Sequence, residues 1–157
     1  MKRPQILKLI ISIALPISLG AIAGMFTSQA VPEWYSTLNS PFFSPPNWIF
    51  SPVWTFLYII MGISLFIIWR EPVSIKRNKA IAVFIAQMAL NFAWSFIFFY
   101  FKMIGIALIE IILLWITILI MLYHFYKVKP IAAYMNIPYI LWVTFAAILN
   151  AGYYILN

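Results

Sequence analysis

The sequence predicts an all-α membrane protein, a bundle of five transmembrane helices. Of its 157 residues, 66% are hydrophobic and only 8% are charged, whereas about a quarter of the residues in a soluble domain are charged. The charged residues separate long apolar segments, most of which reach the length of about 20 residues that a helix needs to cross a bilayer. Runs such as IEIILLWITILIMLY do not alternate between apolar and polar residues, which argues against the strands of a membrane barrel.

The five predicted helices form a single domain of residues 1–157 and cover residues 6–28, 47–69, 80–101, 104–126 and 131–155. The first is too long for the core of a signal peptide, so we expect it to stay in the mature protein. It contains Gly20 and Gly24 in the stretch GAIAG, a spacing that lets another helix approach closely. That approach serves packing within one chain and a dimer interface equally well. Pro16 is expected to kink the same helix.

The connection between the first two helices, residues 29–46, reads QAVPEWYSTLNSPFFSPP. It is too rich in proline and polar residues to be helical throughout, so we predict a lid loop over the bundle. Proline lacks a backbone donor and fixes its own φ angle, so the prolines at 41, 45, 46 and 52 stop the helix and stiffen the loop. The remaining loops are short, which predicts antiparallel neighbouring helices.

Three predicted helices carry polar and aromatic side chains along one face. The shared faces comprise Trp54, Tyr58 and Met61 in the second helix; Gln87, Asn91, Trp94, Ser95 and Phe98 in the third; and Trp142, Phe145, Ala146, Leu149, Asn150 and Tyr153 in the fifth. Amide side chains are costly in hydrocarbon and should point into the bundle. Such faces serve ordinary core packing or line an aromatic pocket.

Residues for conventional catalysis are missing from the sequence. There is no cysteine, and we find no pairing of nucleophile and base, no paired carboxylates and no phosphate loop. The single histidine, His124, has no second ligand at metal-binding spacing, so we expect no metal and no required cofactor. Glu110 is the one acidic residue inside a predicted span, where it either has a function or links helices. Neither paired intramembrane charges nor an inverted repeat indicates a transporter, so a binding pocket is the favoured class.

The formal net charge of +7 reflects membrane topology and does not indicate nucleic-acid binding. Nine of the ten basic residues fall on one side of the five spans, namely Lys2, Arg3, Lys8, Arg70, Lys76, Arg77, Lys79, Lys127 and Lys129. Lys102 alone falls on the other side. Basic loops stay in the cytoplasm, so we predict a multi-pass protein of the cell membrane with a cytoplasmic N-terminus.

Four motifs resemble the TspO/MBR family, the translocator proteins once called peripheral benzodiazepine receptors. They are WYSTLNSPFFSPPNWIFSPVWTFLYIIMG (34–62), QMALNFAWSFIFF (87–99), ALIE (107–110) and PYILWVTFAAILN (138–150). The resemblance implies a five-helix bundle, often a homodimer, with a pocket under the lid loop. That pocket would bind tetrapyrroles such as protoporphyrin IX, and drug-like isoquinoline carboxamides or benzodiazepines.

Carried over by motif, the ligand-binding residues are Tyr35, Pro45, Trp54, Tyr58, Asn91, Trp94, Ser95, Trp142 and Ala146. The chain departs from the family's Pro-x-Trp pattern at Phe42 and Phe43, and its tail AGYYILN lacks the basic residue of the animal sterol motif. A transporter of tetrapyrroles or other small hydrophobic molecules is the alternative function. A further hypothesis, which the resemblance suggests, is light-dependent porphyrin degradation with Trp54 and Trp142 as the oxidisable groups, acting on metal-free porphyrin because no haem ligand is at hand.

Overall fold

A computed structural model describes residues 3–157. Its helices are α1 (Arg3–Glu33), α2 (Phe50–Trp69), α3 (Ile75–Ser95), α4 (Ile104–Val128), α5 (Pro130–Tyr134) and α6 (Ile137–Leu156), with a π-helical turn at Phe96–Tyr100 and 3-10 turns at Tyr35–Thr37 and Asn47–Ile49. Counting α5 and α6 together, five helical segments of 23 to 35 residues are long and apolar enough to cross a membrane. The predicted fold class, an all-α bundle with five spans, is confirmed.

The first helix is longer than predicted, since α1 ends at Glu33 rather than at residue 28. The predicted end was placed where polar residues begin. The hydroxyls of these residues, however, form hydrogen bonds to backbone carbonyls of the same helix. The Thr27 hydroxyl donates to the Ala23 carbonyl at 3.0 Å and the Ser28 hydroxyl to the Met25 carbonyl at 2.9 Å. The lid loop is therefore shorter than predicted and covers residues 34–46.

The third helix begins five residues earlier than predicted, at Ile75. Ser74 caps its N-terminus, because the Ser74 hydroxyl accepts a hydrogen bond from the Arg77 backbone N–H at 3.2 Å. The basic residues that suggested a loop lie in the first turns of α3. Hydropathy alone placed the boundary at the end of these charges, whereas the capping serine marks the true start.

The fifth predicted span, 131–155, is present as Pro130–Leu156, but it is interrupted between α5 and α6, a break that the sequence did not predict. Asn136 lies between α5 and α6 and is fully buried. Its side-chain amide donates to the Ser64 hydroxyl and to the Ala132 carbonyl, each at 2.8 Å. Pro138 in the first turn of α6 has no N–H and cannot continue the hydrogen bonding of the preceding turn.

The tightly packed core occupies the half of the bundle remote from the lid loop. Met61, Ile68, Phe84, Ile118 and Phe125 have no exposed surface there. The Phe84 and Phe125 rings stack with centroids 6.1 Å apart and so join α3 to α4. This half fixes the relative positions of the helices, and the opposite half, beneath the lid loop, holds the cavity described below.

Contacts of the described basic residues mark the two ends of the bundle. Lys8 donates to the Trp69 carbonyl at 3.3 Å, and the Lys129 ammonium lies 3.8 Å from a carboxylate oxygen of Glu71. At the lid end, the Lys102 ammonium lies 6.0 Å from the centroid of the Trp34 ring. Lys2, which also supported the topology prediction, lies outside the described residues.

Candidate ligand-binding site

A cavity of about 510 Å³ lies beneath the lid loop, enclosed by α1, α2, α3 with its π turn, and α6. Its volume falls within the range of about 300–1,000 Å³ that is usual for sites of drug-sized ligands. Its walls are aromatic and aliphatic, with polar atoms supplied by hydroxyls, amides and indoles. None of the described lining residues is charged. The space therefore suits a largely apolar ligand with few polar groups.

Seven of the nine residues carried over by motif line this cavity: Tyr35, Trp54, Tyr58, Trp94, Ser95, Trp142 and Ala146. The other two lie elsewhere. Pro45 borders a separate, more polar space on the underside of the lid loop. Asn91 is buried at 4% exposure below the cavity, where it supports Tyr58.

Three tryptophans from three helices converge on the cavity. Trp54 stacks on Tyr58 with ring centroids 5.6 Å apart. The Trp94 indole N–H donates to the Asn150 side-chain oxygen at 3.1 Å, which fixes its ring against the wall. The Trp142 indole nitrogen is buried and has no partner among the described residues. The three indoles therefore bring aromatic surface from three helices to one cavity.

A chain of buried hydrogen bonds forms the floor beneath Tyr58. The Tyr58 hydroxyl donates to the Asn91 side-chain oxygen at 2.9 Å, and the Asn91 amide donates to the Tyr139 hydroxyl at 3.0 Å. Tyr139 in turn donates to the side-chain oxygen of Gln87 at 2.8 Å. The network ties α2, α3 and α6 together and holds the Tyr58 ring in place. Tyr139 falls outside the face that we singled out in the fifth predicted helix, so the sequence reasoning missed it.

The cavity wall contributed by α1 was also missed. Its lining residues are mostly small: Ile17, Gly20, Ala21, Ala23, Gly24, Thr27, Ser28 and Val31. A Cβ atom at Gly20 would overlap the Tyr58 ring, whereas a Cβ at Gly24 would have no neighbour within 4 Å. The stretch GAIAG was the available signal. Within this chain its glycines make room for Tyr58 and for the cavity, not for a closely packed helix.

The lid loop is fastened to the end of α6. Asn39 and Asn157 bond each other reciprocally, with the Asn39 N–H donating to the Asn157 side-chain oxygen at 2.8 Å and the Asn157 amide to the Asn39 carbonyl at 3.1 Å. The Ser44 and Tyr153 hydroxyls lie 3.2 Å apart. A Cβ at Gly152 would lie 2.6 Å from the Pro41 ring, so this glycine lets the lid loop sit directly on α6.

Glu110 and His124 lie outside the cavity lining. Glu110 is 7% exposed on α4, and neither of its carboxyl oxygens has a hydrogen-bond partner among residues 3–157. No described tryptophan or asparagine therefore donates a hydrogen bond to Glu110, as the hypothesis of a structural link would require. His124 packs its ring against Tyr123, with centroids 5.4 Å apart.

Comparison with known proteins identifies the family of the chain. The model of the TspO/MBR family matches residues 12–156. The chain belongs to the TspO/MBR family. The resemblance seen in the four sequence motifs is thereby confirmed.

Similar TspO/MBR proteins come from archaea, bacteria and animals. The chain is 39% identical to the tryptophan-rich protein TspO of Archaeoglobus fulgidus, over 98% of this chain and 99% of the archaeal one. It is 36% identical to the tryptophan-rich protein TspO of Chlorobaculum tepidum, over 93% of each chain. It is 33% identical to the human translocator protein, over 85% of this chain and 80% of the human one. Together with the five apolar spans, this makes it an integral, multi-pass membrane protein.

Proposed function

We propose that this protein binds flat, largely apolar ring systems in the cavity beneath the lid loop. The expected ligands are tetrapyrroles such as protoporphyrin IX, together with isoquinoline carboxamides and benzodiazepine-type molecules. The observation that carries the proposal is the enclosure of about 510 Å³ by three indoles and a lining without charged residues. Aromatic faces offer stacking surface to a planar ligand at little cost in side-chain entropy.

Binding is better supported than transport. A transported molecule would have to continue from the cavity to the opposite end of the bundle. The hydrogen-bonded floor of Tyr58, Asn91 and Tyr139 lies across that path, and the fully buried core lies beyond it. The arrangement is that of a pocket with a closed bottom.

Quenching of tryptophan fluorescence by protoporphyrin IX tests the proposal in purified, detergent-solubilised protein. The double variant Trp54→Phe, Trp142→Phe should bind about tenfold more weakly, since two indole contact surfaces are replaced by smaller rings. The matched control is Trp115→Phe, because the Trp115 indole bonds the Thr144 hydroxyl at 2.8 Å outside the cavity lining. Equal affinity of the double variant and the control would show that the cavity is not the site.

Light-dependent degradation of bound porphyrin is a second candidate function, and the three oxidisable indoles that line the cavity support it. An illuminated porphyrin transfers energy to oxygen, and the excited oxygen adds across a carbon–carbon double bond of the porphyrin or of an indole. Both oxygen atoms stay in the product, so no reductant is required. Trp54 and Trp142 are the indoles placed to react or to intercept the excited oxygen, with Trp94 as the third.

Absorbance of the porphyrin complex, recorded in light and in darkness, tests this second function. We expect loss of porphyrin absorbance only in light, and a slower loss per bound porphyrin in the Trp54→Phe, Trp142→Phe variant. Equal loss in the dark, or an undiminished light-driven rate in the double variant at equal occupancy, would leave a binding protein without this chemistry.

For localisation we propose the cell membrane, with the N-terminus in the cytoplasm and the lid loop outside. The excess of basic residues at the end remote from the lid loop supports this orientation. Because the chain has no cysteine, single cysteines at Phe42 and Val73, which are 100% and 77% exposed, report on the two ends. In intact cells, an impermeant thiol reagent should label position 42 and spare position 73. The reverse pattern would overturn the orientation.

A further inference from the structure

The cavity is not closed on all sides, because α1 and α2 separate towards the lid loop. In the remote half the two helices touch, since a Cβ at Gly62 would lie 2.6 Å from the Ile13 Cα atom. Closer to the lid loop, the Tyr58 ring fills the space beside Gly20. At Gly24, one turn further, nothing lies within 4 Å of the Cβ position. The contact between the helices thus ends between Gly20 and Gly24.

Four residues define what we call the side opening: Gly24 and Ser28 on α1, and Ser51 and Thr55 on α2. All four line the cavity, and all four belong to the exposed residues of the bundle. Since Gly20 meets Tyr58 and the helices are antiparallel, the helical register brings Ser28 level with the first turn of α2, where Ser51 lies. The cavity therefore reaches the surface between these two helices.

Packed rings and the lid loop cover two other sides of the cavity. On the opposite flank of α1, Phe26 packs against Phe96 of the π turn with ring centroids 4.7 Å apart. The Trp34 ring packs on Phe98 at 5.7 Å. Above, the lid loop is hydrogen-bonded to Asn157 at the end of α6. Access from the lid side would require these contacts to break, whereas the side opening requires no such change.

The side opening faces lipid rather than water. Gly24 lies nine residues before the end of α1 at Glu33, about 13 Å along the axis at 1.5 Å per residue. The hydrocarbon core is about 30 Å thick, so the opening lies at the depth of the leaflet on the lid side. The Ser28 and Thr55 hydroxyls are already bonded to carbonyls of their own helices, at 2.9 Å each. Because these hydroxyls are already paired, the edge of the side opening presents no unpaired hydroxyl donor at these two positions, and an acyl chain or an apolar ring can pass it.

We propose that the ligand of this cavity enters and leaves through the side opening, from the lipid leaflet on the lid side, while the lid loop stays fastened. The matching ligand is a flat amphiphile that partitions into the membrane, with an apolar ring system and a polar edge held near the headgroups. This inference rests on the proposed binding function. It adds that the membrane, not the aqueous phase, delivers the ligand.

Double-cysteine variants test the route cleanly because the chain has no cysteine of its own. Ser28→Cys with Ser51→Cys, joined by a short bifunctional maleimide, blocks the side opening. Asn39→Cys with Asn157→Cys, joined in the same way, locks the lid loop to α6. Association and dissociation rates of protoporphyrin IX are measured in proteoliposomes for each variant before and after cross-linking, so each protein is its own control.

Blocking a route slows association and dissociation together. We expect cross-linking at 28 and 51 to slow both rates by about tenfold or more, and the lid cross-link to leave them within about twofold. Unaltered association and dissociation rates after linking 28 to 51 would overturn the side opening as the route. Failure of the unlinked proteins and of the unmodified chain to bind porphyrin at all would instead overturn the proposed function.

Discussion

The two halves of the bundle differ in how α1 meets α2. Away from the lid loop, Gly62 brings the backbones together, and its absent Cβ would lie 2.8 Å from the Ser12 carbonyl oxygen. Beneath the lid loop, Gly24 leaves space that no other group fills. The same residue type thus permits tight packing at one level and a cavity at the other. The difference shows that glycine's role is set by what stands opposite, here a backbone or an open space.

The largest effect on stability is expected from Gly62→Ala. Its new methyl group would press on the Ile13 and Ser12 backbone atoms, which cannot rotate away, so we expect a loss of about 1–3 kcal/mol in the free energy of unfolding. Gly24→Ala is the matched control. Its free energy of unfolding should rise by about 0.5–1 kcal/mol, because alanine restricts the unfolded chain more than glycine does and its methyl group would meet no neighbour. Thermal unfolding in detergent measures both. Equal shifts for the two variants would contradict the contrast between the halves.

Filling the lid half should affect ligand affinity rather than stability. Ala146 lines the cavity and is 8% exposed. Ala146→Phe would place a ring in the proposed binding cavity, and we expect protoporphyrin affinity to fall about tenfold, equivalent to about 1.4 kcal/mol. The control is Ile148→Phe, which adds an aromatic ring at a 55% exposed position on the outside of α6. If Ile148→Phe weakened binding as much, the cavity would not be the binding site.

A smaller loss of stability is expected from a change in the hydrogen-bonded floor between the two halves. Asn91→Leu removes the acceptor of Tyr58 and the donor to Tyr139. Hydrogen bonds between membrane helices contribute about 0.6 kcal/mol each on average, so we expect a loss of about 1 kcal/mol. Thr117→Val serves as a control, since that hydroxyl bonds only the Leu113 carbonyl of its own helix. A loss no greater than that of the control would show that the network adds nothing to stability.

The smallest effect is expected at the lid loop. Asn157→Ala removes its exposed hydrogen bonds with Asn39, and because water replaces them we expect a loss of about 0.5 kcal/mol. Hydrogen exchange at the Asn39 backbone amide should quicken. If the ligand uses the side opening, protoporphyrin association should keep its rate in this variant. A faster association would indicate that the lid loop is the barrier.

Much of the site could be predicted because tryptophan and polar residues on one face of a membrane helix usually point into the bundle. Trp54, Trp94 and Trp142 share faces with small or polar residues, and the structure places all three on one cavity. Local boundaries were less predictable. Ser74 caps the start of α3 with one side-chain hydrogen bond, and Asn136 makes two at the break between α5 and α6. Such bonds change hydropathy too little to show in a pattern of apolar runs.

Hydropathy, charge spacing and motifs were sufficient for the five spans, the family and the three cavity tryptophans, since each depends on which residues avoid water and on their helical period. That reasoning did not predict three features of the site. They are the cavity wall from α1, the position of Asn91 in the floor rather than in the lining, and the separation of α1 from α2. They depend on which helix stands opposite each small residue. Gly20, Gly24 and Gly62 are alike along the chain, and only the Tyr58 ring, the open space or the Ile13 backbone facing them makes them different.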